Sequence, residues 1–164
     1  MTKSIRIAAA LFIALTATVV LAQSDAQKSF SQLKSLAGSW EGKSEDGKPL
    51  LVSYRETSGG SALTSEIQGD HEMISVINMD GPDRLLMTHY CSVGNQPRMQ
   101  ASVSPDGRVI TFTYVDATNL ASPDAGHMQK MVLTMLDDNH HTENWVFVDH
   151  GKELTRFFDL RRKM

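Results

Sequence analysis

The densest run of chemically capable side chains in this sequence is His89-Tyr90-Cys91-Ser92-Val93-Gly94-Asn95-Gln96-Pro97-Arg98-Met99. It places an imidazole, a thiol, two amides and a guanidinium around a Gly94-Asn95 turn. Arg98 offers a rigid planar fork to a carboxylate or phosphate, and Asn95 and Gln96 can each donate and accept. Asp116 and Asn119 end a later strand ahead of a longer loop, and His127 opens the next one. If the strands meander around a barrel, these ends meet at one rim. His89, Asn95, Arg98, Asp116, Asn119 and His127 are then the candidate polar contacts of a ligand. Two plainer readings stand beside this one: Arg98 with Asp116 as a structural ion pair, and His89 as a hydrogen-bonded core or rim histidine.

Other chemistries lack their spacing. His89 and Cys91 are two residues apart on one strand, so their side-chain roots lie about 7 Å apart at a rise of about 3.3 Å per residue. A nucleophile and its base need contact at about 3 Å, and nothing here enforces it. No G-x-S-x-G element is present. The histidines are His71, His89, His127, His140, His141 and His150, without an H-x-x-x-H pair or a cysteine pair to build a zinc site. His89 with His127 across the rim is the one pair of interest. Asp137-Asp138 reads as a solvated turn, and Gly59-Gly60 lacks the lysine and helix of a phosphate loop. No catalytic residue and no metal ligand is assigned, and no cofactor is required. An apolar barrel with one axial histidine can nevertheless hold haem, here without a C-x-x-C-H attachment.

The elements that must position these groups are mostly strands. From Trp40 onward the apolar period is two, and ten strands are predicted: 39–45, 50–57, 61–68, 71–79, 84–91, 97–103, 108–115, 127–135, 140–148 and 153–161. The separators are short and turn-like, for example Asp46-Gly47-Lys48-Pro49, Gly69-Asp70, Asp80-Gly81-Pro82-Asp83 and Pro105-Asp106-Gly107. Short gaps favour antiparallel hairpins. A flat meander would leave two open edges, which closure into an up-and-down barrel removes. A Greek-key sandwich is the rival. One face carries Met73, Ser75, Ile77 and Met79; another carries Leu85, Met87, His89 and Cys91; a third carries Glu143, Trp145 and Phe147. Strands 4, 9 and 10 are apolar on both faces, which fits a homodimer contact, an outer helix or a mixed interior. Methionine is abundant, and its flexible thioether suits adaptable pockets as well as core packing. Met73, Met87, Met131, Trp145 and Phe158 are the candidate wall residues.

Before the strands, residues 24–37 carry Phe30, Leu33, Leu36 and Ala37 at spacings of three and four. This predicts a short helix, capped by Ser24 or Asp25, stopped by Gly38 and covering one barrel mouth. Lys3 and Arg6 followed by the apolar run Ile7–Leu21 and Val20-Leu21-Ala22 read as a secretory signal cut near Ala22, for a secreted or periplasmic product. The run is short for a membrane span of about 20 residues. The expected organisation is a signal at 1–22, a helix at 23–37 and a barrel at 38–164. Cys91 is the only cysteine, so no internal disulfide forms. Without residues 1–22, the 16 basic side chains lose Lys3 and Arg6 while the 19 acidic ones all remain. That acidic balance argues against nucleic-acid binding.

The stretch Leu36-Ala37-Gly38-Ser39-Trp40-Glu41-Gly42, preceded by a helix and followed by ten strands, resembles the calycin superfamily. Within it the chain looks like the nitrobindin and fatty-acid-binding-like barrels and like small secreted bacterial lipocalin-like proteins of unknown function. Nitrobindins carry a G-x-W-x-G-x-G element. Gly38, Trp40 and Gly42 match it, and Ser44 stands where the third glycine would be. The resemblance implies haem held by a histidine of the late strands. Neither His141 nor His150 aligns with that position, so neither is carried over as a ligand. The segments His89–Met99, Asp116-x-x-Asn119 and Gly126-His127-Met128 look like features of the secreted group.

The expectation is an all-β, ten-stranded antiparallel up-and-down barrel of calycin type with a short N-terminal helix. It would bind a small apolar or amphipathic molecule. The alternatives are an oligomeric interaction module, and a small barrel isomerase or hydrolase using His89 or His127.

Overall fold

A computed structural model describes residues 23–44, 47–69 and 71–164. The signal segment 1–22, with its cleavage site, and the turn residues Asp46 and Asp70 lie outside the described residues. Among the described residues one α-helix, α1 (Asp25–Lys34), precedes ten strands. These are β1 (Gly38–Lys43), β2 (Pro49–Thr57), β3 (Ala62–Gln68), β4 (Met73–Met79), β5 (Leu85–Tyr90), β6 (Gln96–Val103), β7 (Val109–Thr118), β8 (His127–Asp137), β9 (His140–Asp149) and β10 (Lys152–Arg162). Every strand pairs antiparallel with its sequence neighbours, and β1 pairs with β10 to close the barrel. The sandwich is thereby excluded, and no strand is left with an unpaired edge. Among the described residues no helix is long and apolar enough to cross a membrane.

The helix begins where a reciprocal cap forms. Ser24 Oγ accepts from the Gln27 amide at 3.1 Å, and Gln27 Oε1 accepts from the Ser24 amide at 2.9 Å. Ser24 is therefore the cap rather than Asp25. The helix ends at Lys34, before the expected stop at Gly38. Its last carbonyls accept from the amides of Ser35, Leu36 and Ala37, and the segment that follows is tied to β10: Arg162 Nη2 donates to Ser35 O at 2.8 Å and Nη1 to Ala37 O at 2.9 Å. Phe30, Leu33 and Leu36 are buried in the core against the turns that follow β2, β4, β6 and β8. This end of the barrel is the covered one.

The turns after β1, β3, β5, β7 and β9 form the opposite end. The strand ends differ from expectation most at β7, which runs on to Thr118 rather than stopping at 115. A bulge at Arg98/Met99 lets Asp116 face Arg98 and Thr118 face Gln96, so the ladder resumes beyond it.

Trp40 closes the seam between β1 and β10. It is fully buried, its Nε1 donates to Leu36 O at 2.7 Å, and the Arg162 guanidinium lies 4.3 Å over its ring. The two glycines flanking it have separate reasons. Gly38 has φ 130°, a conformation that side chains disfavour. At Gly42 a Cβ would stand 2.3 Å from the Asp159 carbonyl oxygen on β10, so the seam closes only around a bare backbone. Gly42→Ala is expected to force β1 off β10 and to cost about 2–3 kcal/mol, read as a lower denaturant midpoint. A midpoint equal to wild type would refute that account of the seam.

The interior is apolar at the covered end, with Leu63, Ile77, Leu85, Met87, Met99, Ile110, Phe112 and Leu133 essentially inaccessible. Outside, Ile74 and Tyr90 form an exposed cross-strand pair on β4 and β5.

Candidate functional site

Alternation along each strand sends Tyr54, Ser65, Ser75 and His89 inward, and the register sets them side by side: Tyr54 faces Ser65, Ser65 faces Ser75, and Ser75 faces His89. Four adjacent strands thus share one polar belt within an otherwise apolar wall. From β9, His141, Glu143 and Trp145 reach into the same interior.

Glu143 ties the two sides together. Its side chain is 0 % exposed. The Tyr54 hydroxyl donates to Oε1, and Trp145 Nε1 donates to Oε2 at 2.8 Å. His141 Nε2 lies 3.3 Å from Oε1. Phenol and indole N–H are donors here, so both carboxyl oxygens act as acceptors. Burial, followed by the facing Glu143 charge, pushes the Tyr54 phenol well above its ordinary value. Tyr54 is therefore held as a neutral donor.

His89 sits at the far end of the belt, 0 % exposed, with Nδ1 at 2.9 Å from Ser75 Oγ and its ring centroid 4.9 Å from that of Trp145. Burial lowers its pKa from 6.5 to about 4, against a weaker upward pull from Glu143. The imidazole is neutral at pH 7. Its Nε2 has no hydrogen-bond partner, and neither does His141 Nδ1. Buried polar atoms are normally paired, so two orphaned ring nitrogens in one interior are conspicuous.

At the open end a hollow of about 320 Å³ is lined by Leu50, Ile67, Met73 and Phe158, with His71 and Arg156 at its margin. Ile67 and Met73 are one inward position from Ser65 and Ser75 on their own strands, and Phe158 pairs with Glu143. The belt is thus the next layer of inward side chains beneath the hollow's lining.

Of the residues the sequence singled out, His89, Met87, Met131, Trp145 and Phe158 point into the barrel, and Met73 lines the hollow. The other polar ones gather elsewhere. Arg98 and Asp116 form a two-pronged ion pair with both side chains about half exposed. It raises the arginine pKa and lowers that of the acid, in each case chiefly through their mutual hydrogen bond. Asn95 Nδ2 donates to Gly126 O and Asn119 Nδ2 to Gly94 O, both at 2.7 Å, stitching two loops together beside a separate surface hollow. His127 stacks 4.5 Å from Tyr114 and bonds to Ala125 O at 2.7 Å. His89 and His127 thus belong to different groups. Sequence reasoning passed over Tyr54, Ser65, Ser75, His141 and Glu143. The available signal was an acid at Glu143 on the same face as Trp145 and Phe147.

His89 is flanked by Trp145, and His141 is wedged against Trp40, with ring centroids 4.3 Å apart. His150 is exposed in the last turn and paired with Asp149. Among the described residues no three His, Cys, Asp or Glu side chains gather to hold a metal ion.

Comparison with known proteins agrees with the fold and goes no further. No family model matches the chain. No curated protein matches it either. Among solved structures, Rv2717c from M. tuberculosis superposes with a TM-score of 0.59 at 15 % identity, covering 83 % of this chain and 98 % of that one. At that identity the likeness is one of barrel architecture.

Proposed function

We propose that this protein binds a small, partly apolar molecule through the open end of the barrel, as a carrier or sensor of calycin type rather than an enzyme. One observation carries the reading: a hollow of about 320 Å³ at the open end has Leu50, Ile67, Met73 and Phe158 in its wall and Lys48, His71 and Arg156 around them. Ligand sites are concave, mostly apolar and furnished with a few converging polar groups, with volumes from about 300 Å³ upward. Ten strands give a wider interior than the eight whose side chains just fill a barrel. The Gly38, Trp40 and Gly42 element supports the calycin assignment, and the apolar run ahead of Ala22 supports export.

The test is direct. The purified protein is titrated with an environment-sensitive apolar dye, and its denatured extract is analysed by mass spectrometry. Saturable dye binding that Ile67→Trp abolishes, at unchanged melting temperature, is the expected result. A protein that takes up no dye and releases no small molecule is not a binder of this kind.

A further inference from the structure

We propose that the surface hollow between the turn after β5, the loop after β7 and the end of β9 is a second binding site, for a small organic amine held as its ammonium ion. The inference goes beyond the binding reading above and does not depend on it.

The hollow measures about 330 Å³ and shares no lining residue with the one at Leu50, Ile67, Met73 and Phe158. Gly126 is the common neighbour of its side chains. The Gly126 carbonyl accepts from Asn95 Nδ2 at 2.7 Å. A Cβ on Gly126 would stand 2.6 Å from Phe147 Cζ and 3.1 Å from Asp149 Oδ1. Only a bare Cα lets the ring and the carboxylate approach the same point. A second amide, Asn119, lines the same hollow and is fixed by donation from Nδ2 to Gly94 O at 2.7 Å.

The chemistry of the ligand follows from what these side chains have left to offer. A carbonyl oxygen only accepts, so each amide turns its nitrogen toward the carbonyl it meets and its own oxygen elsewhere. Asn95 Oδ1 is thereby left buried and without a partner, in a residue 5 % exposed. Such an acceptor is unfavourable unless a donor meets it. Asp149 engages His150 Nδ1 through Oδ1 at 2.8 Å, and among the described residues no donor engages Oδ2. The uncommitted side-chain atoms of the hollow are therefore acceptors: Asn95 Oδ1, Asn119 Oδ1 and Asp149 Oδ2. No lysine, arginine or histidine is in the lining. Lys152 faces Asp149 in the β9–β10 ladder but stands outside the hollow, and among the described residues the ion-pair partner of Asp149 is His150. A primary ammonium brings three N–H donors and a charge opposite to that of Asp149. A carboxylate or phosphate would bring further acceptors and a like charge. Val93, Ala121 and the Phe147 ring give the hydrocarbon part of an amine an apolar wall.

The probes are hexylamine, 1-hexanol and hexanoate, added at neutral pH to isotope-labelled protein and followed by nuclear magnetic resonance. Hexylamine is expected to shift the side-chain amide signals of Asn95 and Asn119 and the backbone signal of Gly126 saturably. It is expected to bind about tenfold or more tightly than hexanol, the gain from charge-assisted hydrogen bonds. Hexanoate is expected to leave these signals in place. Asp149→Asn keeps the shape of a half-exposed side chain and is expected to lower hexylamine affinity about tenfold, to the level of hexanol, at unchanged melting temperature. Ala121→Trp, on an exposed loop position, fills the hollow and is expected to abolish the shifts, whereas Ile67→Trp in the apolar hollow leaves them. Hexanol or hexanoate binding as tightly as hexylamine at these residues overturns the inference, as does hexylamine affinity that Asp149→Asn leaves unchanged. If no probe shifts these signals, Asn95 Oδ1 is met by water alone and the second site falls. Dye uptake by the apolar hollow, which Ile67→Trp reports, is read separately, so either site can fail without the other.

Discussion

Glu143→Ala is expected to lower the unfolding free energy by about 4 kcal/mol. The carboxylate accepts from the Tyr54 hydroxyl and from Trp145 Nε1 inside a barrel where its side chain is 0 % exposed. Truncation strands both donors, and each buried unsatisfied donor costs about 1–3 kcal/mol. It also leaves a void between β9 and the belt, which adds to the loss. Glu143→Gln should recover most of this. The amide oxygen can accept from Trp145, and the amide nitrogen can donate to the Tyr54 oxygen if that hydroxyl turns away. The gap between the two variants in equilibrium denaturation is therefore the informative quantity. If alanine and glutamine cost the same small amount, about 1 kcal/mol or less, the network is not holding the barrel together. The fate of Tyr54 offers an independent check. Its phenol is held above its ordinary value by burial and by Glu143, so part of the stability is present below pH 10 and lost above it. That loss should diminish in Glu143→Gln.

Acid should weaken the same interior through His89. Its pKa falls from 6.5 in the unfolded chain to about 4 in the folded one. Between those values the unfolded chain binds a proton that the folded barrel refuses. Stability is therefore full above pH 6.5 and declines as pH falls toward 4, by roughly 3 kcal/mol over the window. Carboxylates titrate lower in the same range, so the measurement is a difference: denaturation of wild type and His89→Gln at pH 7, 5.5 and 4.5. The variant is expected to be less stable at pH 7 and to show a flatter dependence. Parallel curves would mean that His89 is not the group refusing the proton. The physical cause is burial against Trp145 without a counter-charge close enough to compensate. The nearest acid, Glu143, is already committed to three partners.

Both expectations concern residues that sequence reading treated unevenly. His89 was visible because an imidazole interrupts the apolar face Leu85, Met87, Cys91. Glu143 was visible on a face with Trp145 and Phe147, yet an isolated acid in a strand is more commonly a rim residue. Ser65 and Ser75 carry no local signal. A serine on an alternating strand has the same appearance whether it faces a cavity, a neighbour's side chain or water. Arg98 and Asp116 show the converse. Their residue types advertise a ligand contact, but a bulge in β6 and β7 turns them toward each other on the outer surface.

The sequence by itself determined the number of strands, their hairpin order and which residues of each strand share a face. Those properties are local: alternation has a period of two, and short Gly- and Asp-rich turns can join only antiparallel neighbours. It also marked the seam, because Gly38, Trp40 and Gly42 are an unusual pairing of bare backbone with the largest side chain. Only the tertiary structure decided which inward residues stand at the same height. Register across ten strands sets Tyr54, Ser65, Ser75 and His89 in one row, and closure of the barrel brings Glu143 across to them. Height depends on strand stagger summed around the whole circumference, and no window of sequence contains that sum.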